Sequence, residues 1–136
     1  MWESFVHHES IEAIMNDKGL AKVGDNLVNF VYSLAKSVVL GYTTGEKVRD
    51  SVLARAIRAT EINNRFSRRT DAGRAADSYE AIMAYLWFSG RLTINDAVES
   101  LTKTLDINSK MSRKREGEVA AISFQKLLEE HASSLP

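Results

Sequence analysis

The chain's only proline is its last residue, Pro136, so nowhere else does that residue interrupt a helix. Strand-like alternation is scarce, and apolar residues recur at helical spacing instead. Six helices are expected. The first covers about 3–16, with Phe5, Ile11, Ile14 and Met15 inward. The second, about 19–40, is apolar over most of its circumference, from Leu20 and Val23 to Val39 and Leu40, which predicts a central, buried rod. Gly41 ends it, and a third helix follows over about 46–62. A polar, basic connection over 63–72 leads to a fourth helix, about 73–89, again almost wholly apolar. Thr93 is placed to cap a fifth, and the sixth covers about 113–132. The fold class is all-α, and 136 residues without an internal repeat fit one domain over 1–136.

Composition narrows the chemistry. There is no cysteine, which excludes disulfides, thiolate metal sites and thiol catalysis. The N-terminus lacks a basic stretch leading into an apolar run, and no apolar stretch reaches the roughly 18 residues a membrane span needs. A cytoplasmic protein without a membrane partner is expected. Net charge is zero, with 18 basic and 18 acidic side chains, so nucleic acid is not bound by bulk charge alone. The basic residues are clustered, however. Arg65, Arg68, Arg69 and Arg74 fall close together, as do Lys110, Arg113, Lys114 and Arg115. The second group reads as an exposed helix start.

The acids are the informative residues. Asp25 sits within the apolar second helix, where its nearest neighbours on the helix surface are Ala21, Val28, Asn29 and Tyr32. Asp77 and Glu80 are three apart on the fourth helix, hence on one face, and are the only charged residues from Ala75 to Phe88. An ionised carboxylate removed from water is unfavourable by several kcal/mol unless paired, hydrogen-bonded or bound to metal, and two side by side raise the pKa of one. A divalent cation relieves both. Magnesium, which takes a few carboxylates and several waters, suits two short helical segments. The residues alone leave open a helix-start role for Asp77 and a capping or arginine-pairing role for Asp25. Tyr79, Tyr85, Trp87 and Phe88 read as core or as an interface between copies, which the pattern does not separate.

The run Gly19-Leu20-Ala21-Lys22-Val23-Gly24-Asp25-Asn26-Leu27-Val28 resembles the ribonuclease III signature, in which a Leu-Glu-Phe-Leu-Gly-Asp segment opens a buried helix. The run Ala76-Asp77-Ser78-Tyr79-Glu80-Ala81-Ile82 is similar to that family's second acidic helix, and Ser51-Val52-Leu53-Ala54-Arg55-Ala56 to its middle helix. The resemblance covers about residues 18–90. It is to the short forms, Mini-ribonuclease III and compact archaeal members, which lack a double-stranded RNA-binding domain. Full-signature members carry glutamates four and seven residues before the Asp. Here those positions hold Ala21 and Lys18, so one carboxylate next to the metal is missing and occupancy by two metals is in question. Asn29 is a neutral substitute or, alternatively, a packed structural amide.

The resemblance implies a ribonuclease III-like endonuclease domain with two buried acidic helices. It implies a magnesium-dependent endoribonuclease, with manganese as a substitute metal, that hydrolyses double-stranded or structured RNA during RNA processing. Asp25, Asp77 and Glu80 would be both metal ligands and catalytic residues. It further implies a homodimer, each protomer cutting one strand. The candidate RNA-binding residues are Arg65, Arg68, Arg69 and Arg74, with Lys22 in the Asp25 motif. His7, His8 and His131 are read as structural. Two alternatives remain at this level: a non-catalytic RNA-binding or assembly module of the same fold, for which Ala21 speaks, and an unrelated helical interaction domain. In the latter, Asp77 and Glu80 would point to solvent, away from Asp25.

Overall fold

The computed structural model describes residues 1–66 and 70–136. The described residues fold as six α-helices with short 3-10 turns and no strand: α1 (Ile11–Met15), α2 (Lys18–Leu40), α3 (Asp50–Arg58), α4 (Ala72–Phe88), α5 (Ile94–Thr104) and α6 (Arg113–His131). The expected all-α class and helix number hold. Five of the six starts have a local cause. Ser10, Asp17, Asp71, Thr93 and Ser112 accept a hydrogen bond from the backbone N–H three residues on, which satisfies one of the first-turn donors that a helix leaves free. Thr93 is thus the cap expected of it. Gly41 closes α2 in the left-handed region, φ 82°, where a side chain would be strained.

Two helices are shorter than their periodicity suggests. The first begins only at Ile11, because Ser10 caps it. Ahead of it Glu3–Phe5 form one 3-10 turn, and Phe5 is exposed, not inward. There Trp2 packs on Trp87 and Phe88, and Phe5 on Phe88, with ring centroids 5.2–5.7 Å apart. The third helix starts at Asp50, because residues 44–48 are drawn out along α2. Ser37 Oγ lies 2.9 Å from both the N and the O of Thr44, Ser33 Oγ accepts from Glu46 N at 3.2 Å, and Asn29 Oδ1 accepts from Val48 N at 2.7 Å. Alternate residues of the link thus meet every fourth residue of the helix. The steps match: two extended residues advance about 6.6 Å and four helical ones about 6 Å. A salt-bridged group seals the outer side, where Lys36 Nζ donates to Glu46 at 2.7 Å and to Glu116 at 3.0 Å, and Tyr32 OH donates to Glu116 at 2.7 Å. This strap therefore joins α2, α3 and α6.

α4 is the central element. It packs on α2 along one side, on α3 along another and on α1 near its start, while α6 closes over α3 and α5. Ala75, Ala76, Tyr79, Ala81, Ile82, Ala84 and Leu86 of α4 are all fully buried. Tyr79 satisfies its hydroxyl by donating to Phe124 O of α6 at 2.6 Å, so this large ring enters the core with no unpaired polar atom. α2 departs from expectation on one side. Val23, Phe30 and Val38 are exposed, and Leu27 and Leu34 between them are only half-buried. The helix is apolar nearly all round, but the fold covers only part of that circumference. No helix among the described residues is long and apolar enough to cross a membrane.

Candidate active site

Where α2 crosses α4, Gly24 lies directly against the backbone of Glu80. A β-carbon on Gly24 would overlap the Glu80 carbonyl and stand 2.9 Å from its Cα. That contact brings the next residue, Asp25, to the side chain of Glu80. Asp25 and Glu80, 55 positions apart in the chain, are thereby close enough for the Asp25 carboxyl to raise the pKa of Glu80.

Glu80 is 5% exposed. Burial, then the hydrogen bond and negative charge of Asp25, then the charges of Asp77 and Asp50, push its pKa up to about 9. A carboxyl in that state keeps its proton at neutral pH unless a cation displaces it. Asp25 is half-buried and held from its other side, where Asn29 Nδ2 donates to Oδ1 at 3.2 Å. Asn29 thereby joins Asp25 to the strap at Val48. That is the structural-amide alternative, with a definite positioning task. Asp77, one turn before Glu80, lies at the open edge of the group. Partial burial, then Asp50, then Asp25, raise its pKa, and Lys18 opposes them.

Glu80 points inward to Asp25, unlike the arrangement an unrelated helical domain would give, whereas Asp77 faces solvent as that alternative expects. Only Glu80 of the three is buried, and Asp77 is exposed. Among the described residues no three His, Asp or Glu side chains are so placed that they could hold one metal ion together.

Three further charges belong to this neighbourhood. Asp50, on the first turn of α3, acts on both Asp77 and Glu80. Lys18, at the position of a family glutamate, acts on Asp77 with the opposite sign. Lys47 Nζ stands 4.0 Å from Asp25 Oδ2, with its side chain mostly in solvent. Asp50 and Lys47 escape sequence reasoning because the strap delivers them, and no local periodicity ties the strap to Asp25. The one hint is the Asn29, Ser33, Ser37 series at four-residue spacing.

The basic candidates separate. Arg65 is engaged on both sides of its guanidinium by Glu12, at 2.7 and 3.1 Å, and Arg74 donates to Asn16 Oδ1 at 2.9 Å. With Thr70 and Phe66 they line a hollow of about 180 Å³ beside α1. Lys22 is exposed on α2. Arg68 and Arg69 lie outside the described residues. Arg113, Lys114 and Arg115 form the exposed helix start expected of them. His8 Nε2 is 2.9 Å from Asp17 Oδ2, and His131 Nδ1 is 3.0 Å from Leu127 O.

No curated protein matches the chain in sequence. The family model of ribonuclease III matches residues 18–135, from the first residue of α2 to the residue before the last. That span holds the Gly24-Asp25 crossing, the acidic turn of α4 and every helix but α1, and on this match the chain belongs to the ribonuclease III family.

Proposed function

We propose that the chain is a divalent-metal-dependent endoribonuclease that hydrolyses phosphodiester bonds in double-stranded or structured RNA, with Asp25, Asp77 and Glu80 as its metal-holding and catalytic residues. The observation that carries this reading is the pair of Asp25 and Glu80, one deeply buried, contributed by separate helices and set against each other so that Glu80 is pushed well above the usual carboxylate range. Such a pair is unfavourable in a metal-free fold. The donor set fits a hard cation: magnesium binds through one or two carboxylates and fills its remaining positions with water and phosphate oxygens, so Asp25 and Glu80 suffice as direct ligands, with Asp77 at the open edge. The chemistry supplied by a bound magnesium or manganese ion is activation of water for in-line attack on the phosphodiester and stabilisation of charge on the leaving oxygen.

The chain's own residues prepare that site. Asn29 fixes the Asp25 carboxylate, and Gly24 sets how near α4 can come. Lys18 and Lys47 place positive charge at the rim, where a phosphate backbone would approach. Arg65 and Arg74 would extend the phosphate contact along the α1 side, Arg65 by exchanging its Glu12 partner for a phosphate, and Lys22 along α2. The exposed stripe of Val23, Phe30 and Val38 fits a homodimer, in which the basic residues of two near-neutral protomers combine on one RNA face.

The missing glutamate at Ala21, together with the absence among the described residues of three side chains converging on one ion, favours as second reading a non-catalytic RNA-binding module of the same fold. Incubation of an end-labelled RNA duplex with magnesium, for wild type, Glu80→Gln and Asp25→Asn, separates the two. Cutting by wild type that either substitution abolishes supports the nuclease. Duplex binding without cutting in magnesium or manganese supports the module.

A further inference from the structure

We propose that the hollow beside α1 is a phosphate subsite and that Glu12 is its built-in competitor, holding the Arg65 guanidinium until a phosphate displaces it. Resting on the RNA reading above, the pair adds a regulator of the grip on that substrate's backbone. The hollow measures about 180 Å³, and Glu12, Asn16, Arg65, Phe66, Thr70 and Arg74 line it. That is more than roughly ten times the space one water needs, so a phosphate group fits. Its charged walls come from three elements: Glu12 from α1, Arg65 from the 3-10 turn Glu61–Arg65, and Arg74 from the first turn of α4.

Glu12 grips Arg65 as a phosphate would. Its two oxygens take Nε and Nη2 separately, at 2.7 and 3.1 Å, the paired geometry that a guanidinium offers to carboxylate and phosphate alike. The side chains of Glu12 and Arg65 remain 42% and 49% exposed, so the pair adds little to stability and exchanges readily. Arg74 faces the same hollow from α4. Its Nη2 donates to Asn16 Oδ1 at 2.9 Å, a neutral partner, and Asn16 is held in that orientation by donating Nδ2 to Glu12 O at 2.9 Å. Among the described lining residues two positive charges thus face one negative charge, and the surplus stays positive even with Glu12 in place. A phosphate replacing Glu12 brings the same two oxygens to Arg65 and a further one for Arg74. The position suits an RNA strand as well. Arg74 is three residues before Asp77 on α4, which puts the subsite about 4.5 Å along the axis from the acidic edge.

The test is binding of a fluorescein-labelled RNA duplex in chelator, which prevents cutting, for wild type, Glu12→Gln, Arg65→Gln, the double variant and Glu9→Gln. Glu9 is exposed on the same segment and controls for net charge. Inorganic phosphate, followed by the chemical shifts of the arginine side chains, is the second probe. Glu12→Gln should bind both probes about two- to fivefold tighter, the factor for releasing one exposed ion pair, and Glu9→Gln should scarcely change. Arg65→Gln should weaken duplex binding and lower its salt slope by about one, and adding Glu12→Gln to it should gain nothing. An equal gain from Glu12→Gln with or without Arg65, or from Glu9→Gln, reduces the effect to bulk charge and overturns the subsite. No gain together with a lowered melting temperature assigns the pair to holding α1 and overturns it as well. Phosphate bound while no variant binds duplex keeps the subsite and contradicts the RNA reading. Duplex bound alike by all variants does the reverse.

Discussion

Gly24 and the carbonyl of Glu80 occupy one crossing point, with no room between them for a β-carbon. The closest approach of α2 to α4 and the meeting of Asp25 with Glu80 are therefore one event. Gly24→Ala should push α4 outward, with a loss of about 1–3 kcal/mol from overpacking. Thermal unfolding should show that loss, and divalent-ion affinity should fall with it. An alanine variant that melts and binds as wild type does would mean that the crossing yields without separating the acids.

The metal-free protein should lose stability as pH rises from about 5 to 9. Glu80 keeps its proton in the folded chain up to about 9, against 4.5 ordinarily. Between those values the folded state binds more protons than the unfolded one, so stability falls by up to about 1.4 kcal/mol per pH unit. Melting curves in chelator should show the slope, and Glu80→Gln should flatten it. A wild-type melting temperature constant over that range would contradict a protonated Glu80.

Asn29→Leu removes the acceptor for Val48 N and the donor to Asp25 together. A buried backbone N–H left without its partner is unfavourable by about 1–3 kcal/mol, and the strap should loosen at its last anchor. Hydrogen exchange at Val48 should accelerate markedly in this variant. RNA cleavage should fall further than in Ser37→Ala, whose anchor at Thr44 is farther from Asp25. Equal loss in the two variants would deny Asn29 a positioning role.

Phe30 is 54% exposed in mid-α2 with Val23 and Val38 also uncovered. Phe30→Glu should convert a dimer to a monomer in sedimentation without lowering the unfolding midpoint of the separated chain. A wild type that sediments as a monomer at tens of micromolar would leave the stripe without this partner.

The helices were legible because their periodicity and caps are local. Thr93 and Gly41 ended or began elements where their chemistry said they would. Asp25, Asp77 and Glu80 could be singled out because charge is conspicuous on apolar helices. Sequence could not give the start of α3 or the breadth of α2's uncovered face. Residues 46–49 look compatible with a helix, and only their pairing with Asn29, Ser33 and Ser37 draws them out. Val23, Phe30 and Val38 look like core residues until the number of helices available to cover α2 is known. The same limit hid Asp50, whose relation to Asp77 exists only once the strap has been laid down.

Asn29, Ser33 and Ser37 grip the strap through its main chain, reaching the amides or carbonyls of residues 44, 46 and 48, and Lys36 adds a side-chain bond to Glu46. The main-chain anchors consequently fix the length of this segment, while Gly45, Glu46 and Val48 are held by their own contacts. One inserted residue would turn the odd positions toward α2, put the wrong amides opposite the anchors and rotate the entry into α3, whereas exchanging the exposed Tyr42 or Thr43 would leave the mesh intact. Spacing, like the pitch of two meshing gears, is the inherited quantity here.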